Sequence, residues 1–152
     1  MQHETYADSY LLGILGNVGT IALVGASDKG DRPSYRVMTF MQENGYRVIP
    51  VNPGLAGRRI LGETVQASLD DVQAPCQMVD IFRNSEAAGA IVDEAIRLAH
   101  KKGIIVIWMQ LEVSNVPAAT RAEAAGLKVV MNRCPKIELE RLQSGHPVTR
   151  RG

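Results

Sequence analysis

Five short apolar runs alternate with segments whose apolar residues recur at helical spacing, and this alternation limits the possible folds severely. Strands buried on both faces form continuous apolar runs, and a strand–helix alternation is typical of a parallel sheet with right-handed crossovers. We therefore predict a Rossmann-like, doubly wound α/β sheet of about five strands in the order 3-2-1-4-5, flanked by helices. The predicted strands are Thr20–Val24, Arg47–Val51, Met78–Phe82, Ile104–Met109 and Leu127–Met131.

The segments between these runs predict helices that end at glycine. Gly45, Gly103 and Gly126 each follow a helical pattern, as expected at a helix stop. Between the second and third strands, the glycine-rich stretch 54–62 is predicted as a loop, followed by one helical turn over 68–71. The predicted helices are a short leading one at Tyr10–Leu15, and others at about Ser34–Asn44, Ser85–Lys102, Val116–Ala125 and Lys136–Gln143.

Length and composition narrow the class of protein. The 152 residues suit a single domain, with a core over about 8–143 and a polar tail over 144–152. A net charge of +1 gives no global field for nucleic acid or an anionic membrane, and no apolar run approaches the ~18 residues that cross a bilayer. Cys76 and Cys134 have neither disulfide-framework nor metal-ligand spacing, so we expect a reducing, cytoplasmic location.

The turn after the first strand has the composition of a phosphate site. Gly25 and Ala26 allow close approach of a ligand to the backbone, Ser27 offers a hydroxyl, and a helical pattern begins near Ser34. Free N–H groups at a helix start favour anions. Because the second glycine of the dinucleotide fingerprint is replaced by Ser27, a plain strand-to-helix turn is the alternative.

The end of the second strand argues against NAD. A carboxylate there would bind the adenosine ribose, but the strand ends in Asn52-Pro53, and Arg58 and Arg59 follow. An amide and nearby arginines accept a phosphate on that ribose, as in coenzyme A (CoA) or NADP. The alternative is that Asn52-Pro53 only ends the strand and that both arginines are solvated.

Six sequence blocks, in one order, resemble a known family. The chain is similar to stand-alone CoA-binding domain proteins, which resemble the N-terminal CoA-binding Rossmann-type domain of the succinyl-CoA synthetase α subunit. The resemblance covers roughly residues 8–143. The blocks are Val24-Gly-Ala-Ser27, Arg32-Pro-Ser-Tyr-Arg-Val37, Gly45-Tyr-Arg-Val-Ile-Pro-Val-Asn-Pro53, Val79-Asp-Ile-Phe-Arg83, Trp108-Met-Gln110 and Val130-Met-Asn-Arg-Cys134.

The resemblance implies CoA as the cofactor and assigns a binding site to the strand ends. This chain departs from the family at two places in that site. The family often has glycine soon after the Trp-x-Gln triplet, where this chain has Leu111-Glu112-Val113. Some relatives carry lysine where this chain has Gly54, so Arg58 or Arg59 would replace that charge. The implied site residues are Gly25, Ala26 and Ser27 at the pyrophosphate, Arg32, Ser34 and Tyr35 closing over the phosphates, Asn52 and Pro53 at the ribose, Phe82 and Arg83 beside the adenine, and Gln110 after the fourth strand.

Three of the aromatic residues in these blocks have structural alternatives. Trp108 lies inside the fourth strand, where core packing is the stronger expectation than ligand stacking. Tyr35 could contact ligand or fasten the first long helix to its preceding loop. Phe82, at a strand end, suits ligand contact and core packing equally.

Catalytic machinery is not predicted. The synthetase needs a phosphorylated histidine in a second domain, and His3, His100 and His146 all lie away from strand ends. No Ser-His-Asp set, zinc spacing or P-loop can be assembled, so no catalytic or metal-binding residue is assigned. Cys134, next to Arg133, suggests thiol exchange with CoA, against the alternative of a buried filler.

We therefore expect a protein that binds CoA or acyl-CoA without chemistry of its own, acting with a small-molecule ligand and an unidentified protein partner. The alternative is an NADP-binding oxidoreductase or redox sensor on the same fold. A regulatory subunit whose nucleotide turn has lost its ligand is a third interpretation, suggested by Glu112.

Overall fold

The structure, a computed structural model, describes residues 1–145 and alternates strands with helices. Several bounds agree with the sequence predictions to the residue, and most others differ by a few positions at the ends. Within the predicted loop over 54–62, Arg59–Ile60 forms a strand that pairs antiparallel with Glu63–Thr64, which the sequence did not predict. The helices are α1 (Asp8–Asn17), α2 (Pro33–Glu43), α3 (Ser85–Lys102), α4 (Val116–Ala124) and α5 (Pro135–Gly145), and the strands are β1 (Thr20–Val24), β2 (Arg47–Val51), β3 (Arg59–Ile60), β4 (Glu63–Thr64), β5 (Met78–Ile81), β6 (Val106–Met109) and β7 (Lys128–Val130).

A five-stranded parallel sheet separates two helical layers, which confirms the predicted α/β fold class. Alternation along β1 sends Ile21 and Leu23 into the core under α1, α2 and α5, and Ala22 into the core under α3 and α4. Trp108 is fully buried in the first of these cores, and its Nε1 donates to the Arg133 carbonyl at 2.9 Å. The core interpretation of Trp108 is therefore confirmed.

The predicted strand order 3-2-1-4-5 is wrong. The observed order is β2-β1-β5-β6-β7, so the third of the five predicted strands lies beside the first and not outside the second. Two contacts explain the difference. The Gln77 Oε1 atom accepts the N–H groups of Gly19 and Thr20 at 3.0 and 2.8 Å, which fixes the start of β5 against β1. The free side of β2 is occupied by Gln66, whose backbone pairs with Pro50 and Asn52.

The new order moves the point at which the connections reverse direction. The chain runs from β1 to β2 on one side and then passes back across β1 to β5 on the other. The switch point therefore lies between β1 and β5 instead of between the first and fourth predicted strands. Ligands of open α/β sheets bind at the carboxyl ends of the strands at such a point. Phe82, directly after β5, is thereby the immediate neighbour of the Gly25 turn.

The outer side of β7 is covered by tyrosine side chains. The Tyr10 hydroxyl donates to the Val129 carbonyl at 2.9 Å and accepts the Val129 N–H at 3.1 Å. The Tyr6 hydroxyl accepts the Met131 N–H at 2.8 Å, and its ring stacks on that of Tyr10. These side chains satisfy backbone groups that an edge strand leaves open.

The end of the chain differs from the sequence expectation. The predicted polar tail over 144–152 begins inside α5, which continues through Gly145. The remainder of that predicted tail, with His146, lies outside the described residues. Among residues 1–145, no helix combines the length and apolar character that a bilayer crossing requires.

Candidate functional site

The carboxyl ends of the strands form three adjoining depressions. The central cleft, of about 490 Å³, lies between the Gly25 turn and the start of α2. A lateral groove of about 280 Å³ adjoins it at the end of β2, and an outer cleft of about 600 Å³ adjoins it at the end of β6. Of the predicted site residues, Gly25, Ala26, Ser27, Arg32, Ser34, Asn52 and Phe82 line the central cleft; Pro53 and Arg83 line the lateral groove; and Gln110, again with Phe82 and Arg83, lines the outer cleft.

Tyr35 lies apart from the other predicted site residues. It lines a separate groove beside α2 with Phe40 and Lys136, and Gly30 of the preceding loop lies next to its ring. This position agrees with the alternative in which Tyr35 fastens α2 to that loop.

Gly25 is required by both backbone conformation and close contact. Its φ of +97° is strained for any residue with a Cβ atom. A Cβ placed there would lie 2.5 Å from the Phe82 carbonyl oxygen and 3.2 Å from Cδ of Arg83. The N–H groups of Gly25 and Ala26 both donate to the Val51 carbonyl, at 2.9 and 3.2 Å. These two amides hold the turn against β2, so their N–H groups are already hydrogen-bonded to protein.

Open donors occur slightly further along the turn. Within residues 1–145, the N–H groups of Ser27 and Ser34 have no acceptor. Pro33 occupies the first position of α2, and Ser34, only 5% exposed, follows it in the first helical turn. First-turn N–H groups and the positive end of the helix dipole favour an anion. The central cleft therefore has the donor set of a phosphate site.

Cations surround this donor set. Lys29 and Arg32 both line the central cleft, and Arg58 reaches Asp28 on its wall with an Nη1–Oδ2 distance of 3.4 Å. Arg59 turns away and donates to the Gly62 carbonyl. Of the two arginines expected to replace the missing lysine, Arg58 is thus the one beside the cleft. Sequence reasoning missed Lys29, although a cation two residues after Ser27 was a usable signal.

Asn52 fastens the two neighbouring turns together. Its Nδ2 donates to the Ala26 carbonyl at 2.8 Å, and its Oδ1 accepts the Gly54 N–H at 2.8 Å. Both ends of the amide therefore hold protein backbone. This arrangement agrees with the strand-ending alternative for Asn52, and it makes the side chain a positioning group for the Gly25 turn.

The outer cleft contains a buried polar side chain with an open acceptor. Gln110 is 7% exposed, and its Oε1 has no partner within residues 1–145. Glu112, the departure noted in the sequence, lies on the exposed rim with φ +69°, and its N–H donates to Asn132 Oδ1 at 2.7 Å. Asn132 thus holds the turn that follows β6 in its shape.

Asp80 is a buried carboxyl that sequence reasoning did not single out. It lies in β5 between Leu23 and Trp108 and is 1% exposed. Burial raises the pKa of Asp80 well above its usual value, and Oδ1 has no partner within the described residues. The available signal was a single acidic residue inside the third of the five predicted strands, which is otherwise apolar.

The two thiols and His3 belong to structural contacts, and His100 is exposed on α3. Cys134 is 5% exposed within the core, and burial raises the pKa of Cys76 to about 11. His3 lies between the Tyr6 hydroxyl, at 2.7 Å, and Glu123 Oε1, at 3.0 Å. Over residues 1–145, no group of three or more His, Cys, Asp and Glu side chains has the arrangement of a metal site.

Comparison with known proteins places these features in a family. The model of a family described as "CoA binding domain" matches residues 19–140. The "Uncharacterized protein YneT" of Bacillus subtilis strain 168 is 34% identical over 137 residues, covering 90% of this chain and 96% of YneT.

Solved structures agree in fold. A "hypothetical protein" from Pyrococcus horikoshii OT3 is 36% identical with a TM-score of 0.84, covering 94% of this chain and 97% of that one. The dinucleotide-forming acetyl-coenzyme A synthetase 1 of Ca. Korarchaeum cryptofilum, in its apo form, is 21% identical with a TM-score of 0.62. It aligns with 78% of this chain over 27% of its own length, a likeness of fold alone.

Proposed function

The chain belongs to the CoA binding domain family, and from that premise we propose that its central cleft binds the pyrophosphate of CoA. The observation that carries the proposal is the pair of open N–H groups at Ser27 and Ser34, at the start of α2 and within one cleft. Family membership supports CoA as the ligand, and this donor set supports the cleft as its phosphate site.

The adenosine end of the ligand occupies the lateral groove. This groove is lined by Val51, Asn52, Pro53 and Arg83, so a purine there meets an apolar strand end on one side and a guanidinium on the other. The 3′-phosphate lies on the side of Arg58, whose partner Asp28 lines the central cleft. Asn52 acts by holding Ala26 in place and not as the main ribose contact.

The protein contributes binding and no chemistry of its own in this proposal. The buried Cys134 and the hydrogen-bonded His3 support that interpretation, since neither lines the central cleft. Such a protein senses CoA, buffers it or presents it to a partner.

Calorimetric titration with CoA, dephospho-CoA and NADP tests the proposal. We expect micromolar or tighter binding of CoA, weaker binding of dephospho-CoA, and Arg32→Ala to weaken CoA binding by about 1–3 kcal/mol through loss of a charge-assisted contact. Arg97→Ala, which removes an exposed arginine from α3, is the matched control and should bind as the wild type does.

Two outcomes contradict the proposal. Binding of NADP but not of CoA would favour the alternative function, an NADP-binding oxidoreductase or redox sensor. No binding of any of the three ligands would make the turn a structural element and the chain a partner-dependent module.

A further inference from the structure

The outer cleft lies where the second arm of a bound CoA must go. CoA extends in two directions from its pyrophosphate, with the adenosine on one side and the pantetheine on the other. The lateral groove is at the end of β2 and the outer cleft is at the end of β6, on opposite sides of the β1–β5 switch point. With adenosine over β2, the pantetheine is directed over β6. The central and outer clefts share Pro33 and Phe82, so the path between them is continuous.

The wall of the outer cleft is largely apolar and partly uncovered. Pro33, Phe82, Leu111 and Val113 line it, and Leu111 is 47% exposed although it is a large aliphatic side chain. A free thiol at the end of the pantetheine would leave most of this wall in water. A short aliphatic chain attached to that thiol would cover it, and burial of apolar surface is favourable.

Gln110 gives the same cleft a polar recognition element. Its side chain is more than nine-tenths buried, and the Oε1 acceptor has no partner within residues 1–145. A buried acceptor without a donor is costly, and this oxygen has less than 1 Å² accessible to solvent as the side chain stands. A rotation of the terminal amide that turns the oxygen toward the cleft lets a ligand N–H group recover that free energy. Pantetheine carries two amide N–H groups, which match this requirement.

We infer that the outer cleft binds the pantetheine through Gln110 and receives an acyl group, so that the protein prefers short-chain acyl thioesters over free CoA. This inference rests on the proposed function, since it requires CoA in the central cleft. It assigns the ligand class: an acyl-CoA with a small aliphatic chain that lies against Leu111 and Val113. Arg83 and Glu112, which also line this cleft, carry opposite charges, so the apolar wall is the feature that selects the acyl chain.

The experiment compares a ligand series on one protein by calorimetry. The series is adenosine 3′,5′-bisphosphate, CoA, acetyl-CoA and butyryl-CoA. We expect affinity to rise from CoA to butyryl-CoA by about two- to fourfold for each buried methylene. Adenosine 3′,5′-bisphosphate, which lacks both pantetheine and acyl group, reports the central cleft and lateral groove alone.

Two variants assign the effect to the outer cleft. Leu111→Ser should abolish most of the gain from CoA to butyryl-CoA, while Ile137→Ser, which removes a similarly exposed aliphatic side chain from α5, should keep it. Gln110→Leu should weaken CoA and butyryl-CoA by about five- to tenfold, the magnitude of one lost hydrogen bond, and leave the bisphosphate unchanged.

These measurements distinguish failure of the proposed function from failure of the acyl-CoA inference. If neither the bisphosphate nor CoA binds, the proposed function fails and the inference fails with it. If CoA binds and butyryl-CoA binds no more tightly, the acyl preference alone is overturned. If Gln110→Leu weakens the bisphosphate as much as butyryl-CoA, the outer cleft holds the adenine and the assignment of the two arms is reversed.

Discussion

Replacing Gly25 by alanine tests whether the close approach of β1 and β5 builds the site. The added Cβ would lie 2.5 Å from the Phe82 carbonyl oxygen and 2.9 Å from its carbon, inside the 3.4 Å at which ordinary contact begins. The obstacle is backbone, which cannot rotate away as a side chain can. The ends of β1 and β5 must therefore separate, and the Ser27 turn moves with them.

The loss of stability expected for Gly25→Ala has two parts, and the same substitution at Gly126 measures one of them alone. Alanine in the left-handed region costs about 1–2 kcal/mol, and part of this is offset by about 0.4–1 kcal/mol because the unfolded chain loses freedom. Gly126 has φ +90° with no atom within 4 Å of the point where a Cβ would lie, so Gly126→Ala measures that part alone. Gly25 has φ +97° and the clash with Phe82 in addition, which adds about 1–3 kcal/mol of overpacking.

Urea denaturation of both variants measures the difference, and calorimetry measures CoA binding. We expect Gly25→Ala to be less stable than Gly126→Ala by about 1–3 kcal/mol and to bind CoA at least about tenfold more weakly, equivalent to ~1.4 kcal/mol. Gly126→Ala should bind as the wild type does. Equal destabilisation of the two variants, or unchanged CoA affinity in Gly25→Ala, would refute the argument that Phe82 and Gly25 together shape the cleft.

Three further predictions concern stability. Because burial raises the folded-state pKa of Asp80, stability falls as pH rises from the unfolded value near 4 through the folded pKa. Asp80→Asn should therefore gain stability over the wild type by about 1.4 kcal/mol per pH unit in that window, and urea titrations that show a pH-independent difference would contradict this. Lys102→Met should cost about 2–3 kcal/mol, since the buried ammonium donates to the carbonyls of Asp70 and Val72; an unchanged denaturation midpoint would contradict this. Tyr10→Phe should cost about 1–3 kcal/mol by leaving both polar groups of Val129 without the hydroxyl, and a thermal shift indistinguishable from zero would exclude that role.

Local patterns in the sequence predicted the elements because their causes are local. The bounds of β1, β2 and α3 agree with prediction to the residue, since each apolar or helical run is followed at once by Gly25, Asn52 or Gly103. The order of the strands has a long-range cause. It depends on the Gln77 side chain bonding to Gly19 and Thr20, and no spacing in the sequence reveals that pairing.

The sequence predicted which residue types line the site, but not all of the contacts that their side chains make. Gly25, Ser27 and Ser34 lie in one cleft, as the turn composition indicates, and their contact with a ligand stays a prediction. The amide of Asn52 has the expected location but holds backbone at both ends. The shape of the outer cleft depends on Asn132, which reaches the Glu112 N–H from the end of another strand. Such contacts arise only when the strands have been placed side by side.

The tyrosine cover of β7 has a consequence for self-association. A strand edge with open N–H and C=O groups is a template for pairing with another chain, and proteins that leave one open tend to assemble edge to edge. Here the Tyr10 hydroxyl bonds to both the N–H and the C=O of Val129, as a neighbouring strand would. At β2, the backbone of Gln66 bonds to Pro50 and Asn52 in the same way. Edge-to-edge pairing with another chain is thereby blocked on both sides at these positions, and we expect loss of the Tyr6 and Tyr10 hydroxyls to favour such pairing.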